Sequence, residues 1–263
     1  MPDPGRSHPL RGMSHLQQNR PAPNAGIVCG TIDGMDYDLI CLDLDGTLVD
    51  TAAEIAQAVN QALQAHGLAR RPPQEVALLI GAGAHALLRR LLERDRVAAA
   101  AVAEVPTTDT VLTTFEHRYA DIAGTLCAPY PDCAEALIRL RRAGVLLACV
   151  TNKELRHART VLRNTGLEQH FAVVVGGDSY PRKKPHASVL RAVAAGLGVA
   201  LTRTAHVGDS AIDVLAAHNA GVTAWAVPYG YNGGVPVADS RPDRMFDTLL
   251  QMADWVVAPG SRS

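Results

Sequence analysis

Two carboxylates two residues apart stand out first: Asp43-Leu44-Asp45-Gly46-Thr47 closes the apolar run Tyr37–Asp43. Acids this close repel each other unless a cation stands between them, and carboxylate and phosphate oxygens are what Mg²⁺ prefers. The pair suggests one acid as nucleophile and metal ligand, and one as proton donor to a leaving group. An Asp-Gly turn that merely ends a strand has the same letters. Three later segments bear on that choice. Val150-Thr151-Asn152 ends a second apolar run, offering a hydroxyl and backbone N–H groups to phosphate oxygens, although Thr is also an ordinary helix N-cap. Lys183-Lys184-Pro185 reads as a helix opening whose ammonium can neutralise a phosphoryl group or an aspartate, although exposed lysine pairs are usually only solvated. Gly208-Asp209-Ser210-Ala211-Ile212-Asp213 sets two acids four apart at a helix start, which the helix dipole alone would favour.

Elements that could position these groups follow from hydrophobic periodicity. Short apolar runs at Tyr37–Asp43, Leu146–Val150, Phe171–Val175, Ala205–Val207 and Val222–Val227 alternate with helical spacing at Cys133–Arg142, Lys153–Asn164, Ser188–Ala195 and Ile212–Asn219. Alternation of this kind predicts an α/β fold with a doubly wound, Rossmann-like parallel sheet, whose ligands bind beyond the carboxyl ends of the strands. Residues 51–128 interrupt it with helical segments at Ala52–His66, Gln74–Leu79, His85–Arg94 and Thr110–Ile122. They read as a helical cap inserted into a core of residues 36–50 and 129–263, placed to exclude water and select substrates. Residues 1–35 read as a loose extension without a secretory pattern.

With 263 residues, 48% of them hydrophobic, the chain can bury a large core, and 25 basic against 26 acidic residues leave no excess for nucleic acid or an anionic membrane. Small molecules are the expected partners. Five cysteines without a CxxC pair suggest reduced thiols and a cytoplasmic location.

The four motifs, in this order, resemble the haloacid-dehalogenase superfamily of phosphatases, over about Asp36 to Gly234. Local detail is most similar to the bacterial phosphoglycolate phosphatase branch: Leu42–Thr51, Val150–Lys153, Gly176–Pro185, Val207–Ala217 and Tyr229–Asn232. The resemblance implies a phosphomonoester hydrolase that uses Mg²⁺ and a phospho-aspartyl intermediate on Asp43. By it, Asp45 is the general acid and base, Thr151 holds phosphoryl oxygens, and Lys184 orients Asp43. Asp209 completes the metal site with Asp43 and the Asp45 carbonyl, and Asp213 stands behind them among the metal-site acids. Thr47 and Asn152 are expected to contact substrate. A broad-specificity sugar-phosphate, nucleotide or pyrophosphate phosphatase is the alternative within the superfamily. A phospho-accepting signalling module is the alternative from another class, disfavoured by a proton donor at Asp45.

Gly81-Ala82-Gly83-Ala84-His85-Ala86 fits the dinucleotide-binding fingerprint, but its helical surroundings lack the βαβ unit this needs. The turn is read instead as receiving a substrate carboxylate through Gly81, Gly83 and His85, or as a plain inter-helix turn. Cys133 and Arg139 have the spacing of cysteine-dependent phosphatases, yet the residues between them form helix rather than a glycine-rich cradle. Arg156-His157 is read as surface charge.

Overall fold

The computed structural model describes residues 36–98 and 106–258, and the expected extension over 1–35 lies outside them. β1 (Leu39–Leu42) is wholly buried, as a central parallel strand covered on both faces must be. From β1 the chain passes through the short strand β2 (Val49–Asp50) into α1 (Ala52–Ala65), α2 (Pro73–Ala77), α3 (Ala84–Ala98) and α4 (Thr108–Ile122), returning through β3 (Ala128–Pro129). β2 and β3 pair antiparallel, with Asp50 opposite Ala128, so the chain enters and leaves this helical segment side by side. Then follow α5 (Cys133–Arg142), β4 (Leu146–Val150), α6 (Leu155–Asn164), β5 (Val173–Val175), α7 (Ser188–Leu197), β6 (Thr204–Gly208), α8 (Ala211–Ala220), β7 (Thr223–Ala226), β8 (Arg244–Met245) and α9 (Leu249–Val257).

The main sheet runs β5-β4-β1-β6-β7-β8, parallel throughout. Alternate residues of β1 point to opposite faces: Leu39 and Cys41 join α7 and α8 in one core, while Ile40 and Leu42 join α5, α6 and α9 in the other. After β5 the chain crosses to β6 on the far side of β1, which leaves a crevice at the carboxyl ends of the central strands. This is the expected doubly wound α/β architecture.

The inserted helices bury their own apolar stripes: Val59 and Leu63 of α1, Leu88 and Leu91 of α3, and Val111 and Phe115 of α4. Between α1 and α4 lies the fully buried Glu54, which accepts from the Tyr119 hydroxyl and from Gly124 N–H at 2.9 Å.

Lys183-Lys184-Pro185 does not open a helix. α7 begins at Ser188, because the residue before a proline is pushed out of the helical region. Helix α6 likewise starts at Leu155, leaving Thr151 to Lys153 in the bend after β4. The two-residue strands β2, β3 and β8, and the helix α9, were not expected. Among the described residues no helix is long and apolar enough to cross a membrane.

Candidate active site

Three strands end at one point. Asp43 directly follows β1 and still donates its N–H to Val207 O at 2.9 Å, Thr151 follows β4 and donates to Val175 O at 3.0 Å, and Asp209 follows β6. All three are buried. Gly46 turns the chain away at φ +86°, and a Cβ there would lie 2.4 Å from Asp209 Oδ2. Only glycine supplies both the backbone conformation and the space.

Lys184 is 3% exposed and sits between two carboxylates, 2.9 Å from Asp43 Oδ1 and 2.7 Å from Asp213 Oδ1. The first approach lacks hydrogen-bond alignment, so this buried Asp43 oxygen has a cation beside it but no aligned donor. Asp213 is fully engaged: its Oδ1 also lies 3.1 Å from His206 Nε2, and its Oδ2 accepts from Ser210 Oγ at 2.6 Å and Ser210 N–H at 3.2 Å. Burial alone would raise its pKa, but Lys184 and His206 hold it well below the usual carboxylate range. For Lys184, burial favours the neutral amine, yet Asp213 and Asp43 keep it firmly protonated.

Asp209 is held by residues far away in sequence. Its Oδ1 accepts from Thr47 Oγ1 at 3.0 Å and its Oδ2 from Tyr231 N–H at 2.6 Å. Thr47, expected to contact substrate, thus braces Asp209. The Tyr229–Asn232 loop does more than mark a resemblance. Tyr229 OH donates to Thr47 O at 2.9 Å, Asn232 Oδ1 accepts from Ala211 N–H at 2.8 Å, and Tyr231 OH accepts the Thr51 N–H at 2.8 Å where the inserted helices begin.

One carboxylate oxygen from each of Asp43, Asp209 and Asp213 falls within 4.8 Å of the others. Burial first, and the neighbouring acids second, raise the pKa of Asp209; burial likewise raises that of Asp43, against the pull of Lys184. A cation placed among them would relieve this strain, and an all-oxygen donor set suits a hard divalent ion. Asp213 is spent on the Lys184 ammonium, His206 and two Ser210 donors, whereas Asp209 accepts one neutral donor on each oxygen and Asp43 Oδ1 has no aligned donor, so Asp43 and Asp209 are the better ligands.

Between this edge and the inserted helices lies a cavity of about 40 Å³. Asp43, Asp45 and Thr151 form its floor; Ile55, Ile80, Leu87, Phe115 and Tyr119 form apolar walls. Gly81 and Gly83 line it too, with φ of +120° and +87°. Their turn is pinned to the core: Gly81 O accepts from Asn152 Nδ2 at 3.0 Å and Ala82 O from Lys183 Nζ at 2.7 Å. Asn152 Nδ2 also donates to Lys184 O at 3.0 Å, so this expected substrate contact ties the turn to the catalytic edge instead. His85 does not face the cavity. Its side chain is 51% exposed and lies 3.4 Å from Asp109, because on α3 it falls off the buried stripe of Leu87, Leu88, Leu91 and Leu92.

Sequence reasoning passed over Lys153. Its ammonium is buried, 2.9 and 3.1 Å from the two oxygens of Asp45, and lies 4.6 Å from the centre of the Tyr119 ring. Asp45 Oδ1 also accepts from Thr51 Oγ1 at 2.7 Å. The signal available was position: Lys153 comes two residues after the strand-end Thr151.

The rival motifs find other places. Gly81–Ala86 follows α2 rather than a strand, so no βαβ unit surrounds it. Cys133 is buried in α5, its thiol pushed up to about 12 by burial, while Arg139 pairs with Glu135 and Asp254 on the surface. Arg156 is surface charge on Glu116, but His157 is buried edge-on to Tyr119, 5.1 Å between ring centres. Its partner ring in the inserted helices, invisible in the local periodicity, draws it inside.

The family described as haloacid dehalogenase-like hydrolase matches residues 40–227. A phosphoglycolate phosphatase of Mannheimia succiniciproducens is 37% identical over 216 residues, covering 82% of this chain and 96% of that protein. A plasmid phosphoglycolate phosphatase of Cupriavidus necator is 41% identical, over 80% of this chain and 89% of that one. The crystal structure of a predicted phosphoglycolate phosphatase from Haemophilus somnus superposes with a TM-score of 0.79 at 31% identity, over 84% of this chain and 98% of that one.

Proposed function

The chain belongs to the haloacid dehalogenase-like hydrolases and is a phosphatase; from that premise we propose that it converts 2-phosphoglycolate to glycolate and phosphate, through a phosphoryl group carried on Asp43 and with Mg²⁺ as cofactor. The observation that carries the reading is the small cavity between the sheet edge and the inserted helices. It joins Asp43 and Asp45 to apolar walls on the inserted helices, which thereby act as the cap, and its narrowness favours a small leaving group.

An Asp43 carboxylate oxygen attacks phosphorus, and the bond from phosphorus to the leaving oxygen breaks. The departing alkoxide takes the proton of the Asp45 carboxyl. Asp45, now ionised, removes a proton from water as that water attacks the same phosphorus, and the bond to Asp43 breaks to release phosphate. Lys184, fixed by Asp213, offsets the charge around Asp43, and the Thr151 hydroxyl donates to a phosphoryl oxygen. Mg²⁺, held by Asp43, Asp209 and the Asp45 carbonyl, would supply charge neutralisation at the phosphoryl oxygens. The free thiols of Cys41, Cys127, Cys133 and Cys149 support a cytoplasmic location as part of the same proposal.

The test is phosphate release, with and without Mg²⁺, from 2-phosphoglycolate, ethyl phosphate, sugar phosphates, nucleoside monophosphates and pyrophosphate. 2-Phosphoglycolate should lead, with kcat/KM about 10–100-fold above ethyl phosphate, or about 1.4–2.8 kcal/mol. Equal values for those two, or a panel led by sugar phosphates or nucleotides, would hand the assignment to a broad-specificity phosphatase.

A further inference from the structure

The chain contains three lysines against 22 arginines, and all three lysines meet at this site. Elsewhere the protein makes its positive charges with arginine. Lys184 serves Asp43 and Asp213, and Lys183 pins the Gly81–Gly83 turn through Ala82 O. Lys153 has neither task. A lysine ammonium is a compact point charge on a flexible stem, able to exchange one carboxylate for another where the rigid guanidinium fork would not fit.

Lys153 lines the cavity, and among its described lining residues it is the one cation. The acids there are Asp43, Asp45 and Glu154. Burial raises the pKa of Glu154, so that carboxyl takes up a proton more readily than an exposed one. The ammonium is seated by the cap as well as by the core. The Tyr119 ring lies beside it, fixed by stacking on Phe115 at 5.4 Å and by its hydroxyl donating to the buried Glu54. A cation against an aromatic face is attracted by the ring quadrupole, which gives Lys153 a second hold in the pocket besides Asp45. Asp45 has a second partner in Thr51 on Oδ1, so Oδ2 is the oxygen left for a leaving group, and there the Lys153 ammonium stands 3.1 Å away.

Resting on the phosphoglycolate reading and deepening it, we propose that Lys153 recognises the carboxylate of the leaving group and, in taking it, releases Asp45 for proton transfer. A substrate carboxylate replaces one ion pair by another within the same pocket, so no cation is left unpaired. A substrate without a carboxylate leaves Lys153 on Asp45 and the proton donor occupied. Lys153 is thus a specificity residue for the substrate and a positioning residue for Asp45. Binding energy from the non-reacting end of the substrate is spent on readying the catalytic group, which raises kcat rather than merely lowering KM.

The test compares wild type and Lys153→Met on 2-phosphoglycolate, ethyl phosphate and p-nitrophenyl phosphate, whose leaving group departs without a proton. Wild type should favour 2-phosphoglycolate over ethyl phosphate by about 10–100-fold, mainly in kcat, and K153M should shrink that preference to within about threefold. Turnover of p-nitrophenyl phosphate by K153M shows that the phosphoryl site remains assembled. A K153M preference equal to that of wild type overturns the assignment of Lys153, and a wild-type preference confined to KM overturns the release of Asp45. No preference in wild type defeats instead the reading of the substrate. Should K153M fail to fold, ¹⁵N spectra of the wild-type lysine ammonium groups decide the matter, since three lysines give few signals. Titrated glycolate should move the Lys153 signal and ethanol should not; an unmoved signal overturns the proposal.

Discussion

At the sheet edge each reacting side chain is gripped by partners distant in sequence: Asp209 by Thr47 and Tyr231, and Lys184 between Asp43 and Asp213. Over it, the inserted helices offer mainly apolar surface, from Ile55, Ile80, Leu87, Phe115 and Tyr119, together with glycine backbone. The edge needs fixed charges at fixed distances, because phosphoryl transfer is largely positioning and electrostatic stabilisation. The helices need shape and the exclusion of water. On the proposed mechanism, chemistry rests on the charged edge and selection by shape on the apolar helices. Among the bridges that join them are Asn152 reaching Gly81, and Lys153 standing between Asp45 and the Tyr119 ring.

The largest expected effect breaks the edge alone. Asp43→Asn should lower kcat by about 10³-fold or more while leaving the fold and cavity unchanged, since the amide keeps the shape but cannot attack phosphorus. A folded variant retaining more than a few per cent of kcat would move the nucleophile elsewhere. Next, Asp209→Ala should raise the Mg²⁺ concentration for half-maximal activity by at least about tenfold, read from a metal titration. An unchanged titration would remove Asp209 from the metal set.

The smallest effect probes the pocket's underside. Burial, reinforced by Arg156 and Lys153, lowers the His157 pKa from 6.5 to about 4. As pH falls from 6.5 towards 4, the unfolded chain takes up a proton that the folded one refuses, so stability present above 6.5 is progressively lost in that window. His157→Gln should flatten that part of the curve in denaturant titrations at several pH values. A slope matching wild type would mean that His157 is solvated in the folded state.

This contrast also explains what could be read from the sequence. Asp43, Asp45, Thr151 and Asp209 stand out because strand ends announce themselves by apolar runs that stop at polar letters. The structure brings these four, with Lys184, around one crevice. Lys184 was harder to value, since a lysine pair reads as surface and its burial depends on carboxylates supplied by β1 and α8. Lys153 was missed because its partners are a core acid and a cap ring, neither near it in sequence. His85 was misplaced by attending to the glycine turn before it. The Leu87, Leu88, Leu91 and Leu92 stripe already put it on the outer face of α3. Two-residue strands such as β2 and β8 carry too little periodicity to be seen at all.

The central claim is that phosphorus passes through Asp43, and trapping the intermediate tests it most directly. Enzyme quenched while turning over its best phosphomonoester with Mg²⁺, then reduced with borohydride, should carry homoserine in place of Asp43 in the peptide spanning β1, because an aspartyl phosphate is reduced and a free carboxylate is not. Reduction at Asp45 or another acid, or an unreduced Asp43 under conditions of full turnover, would contradict the account.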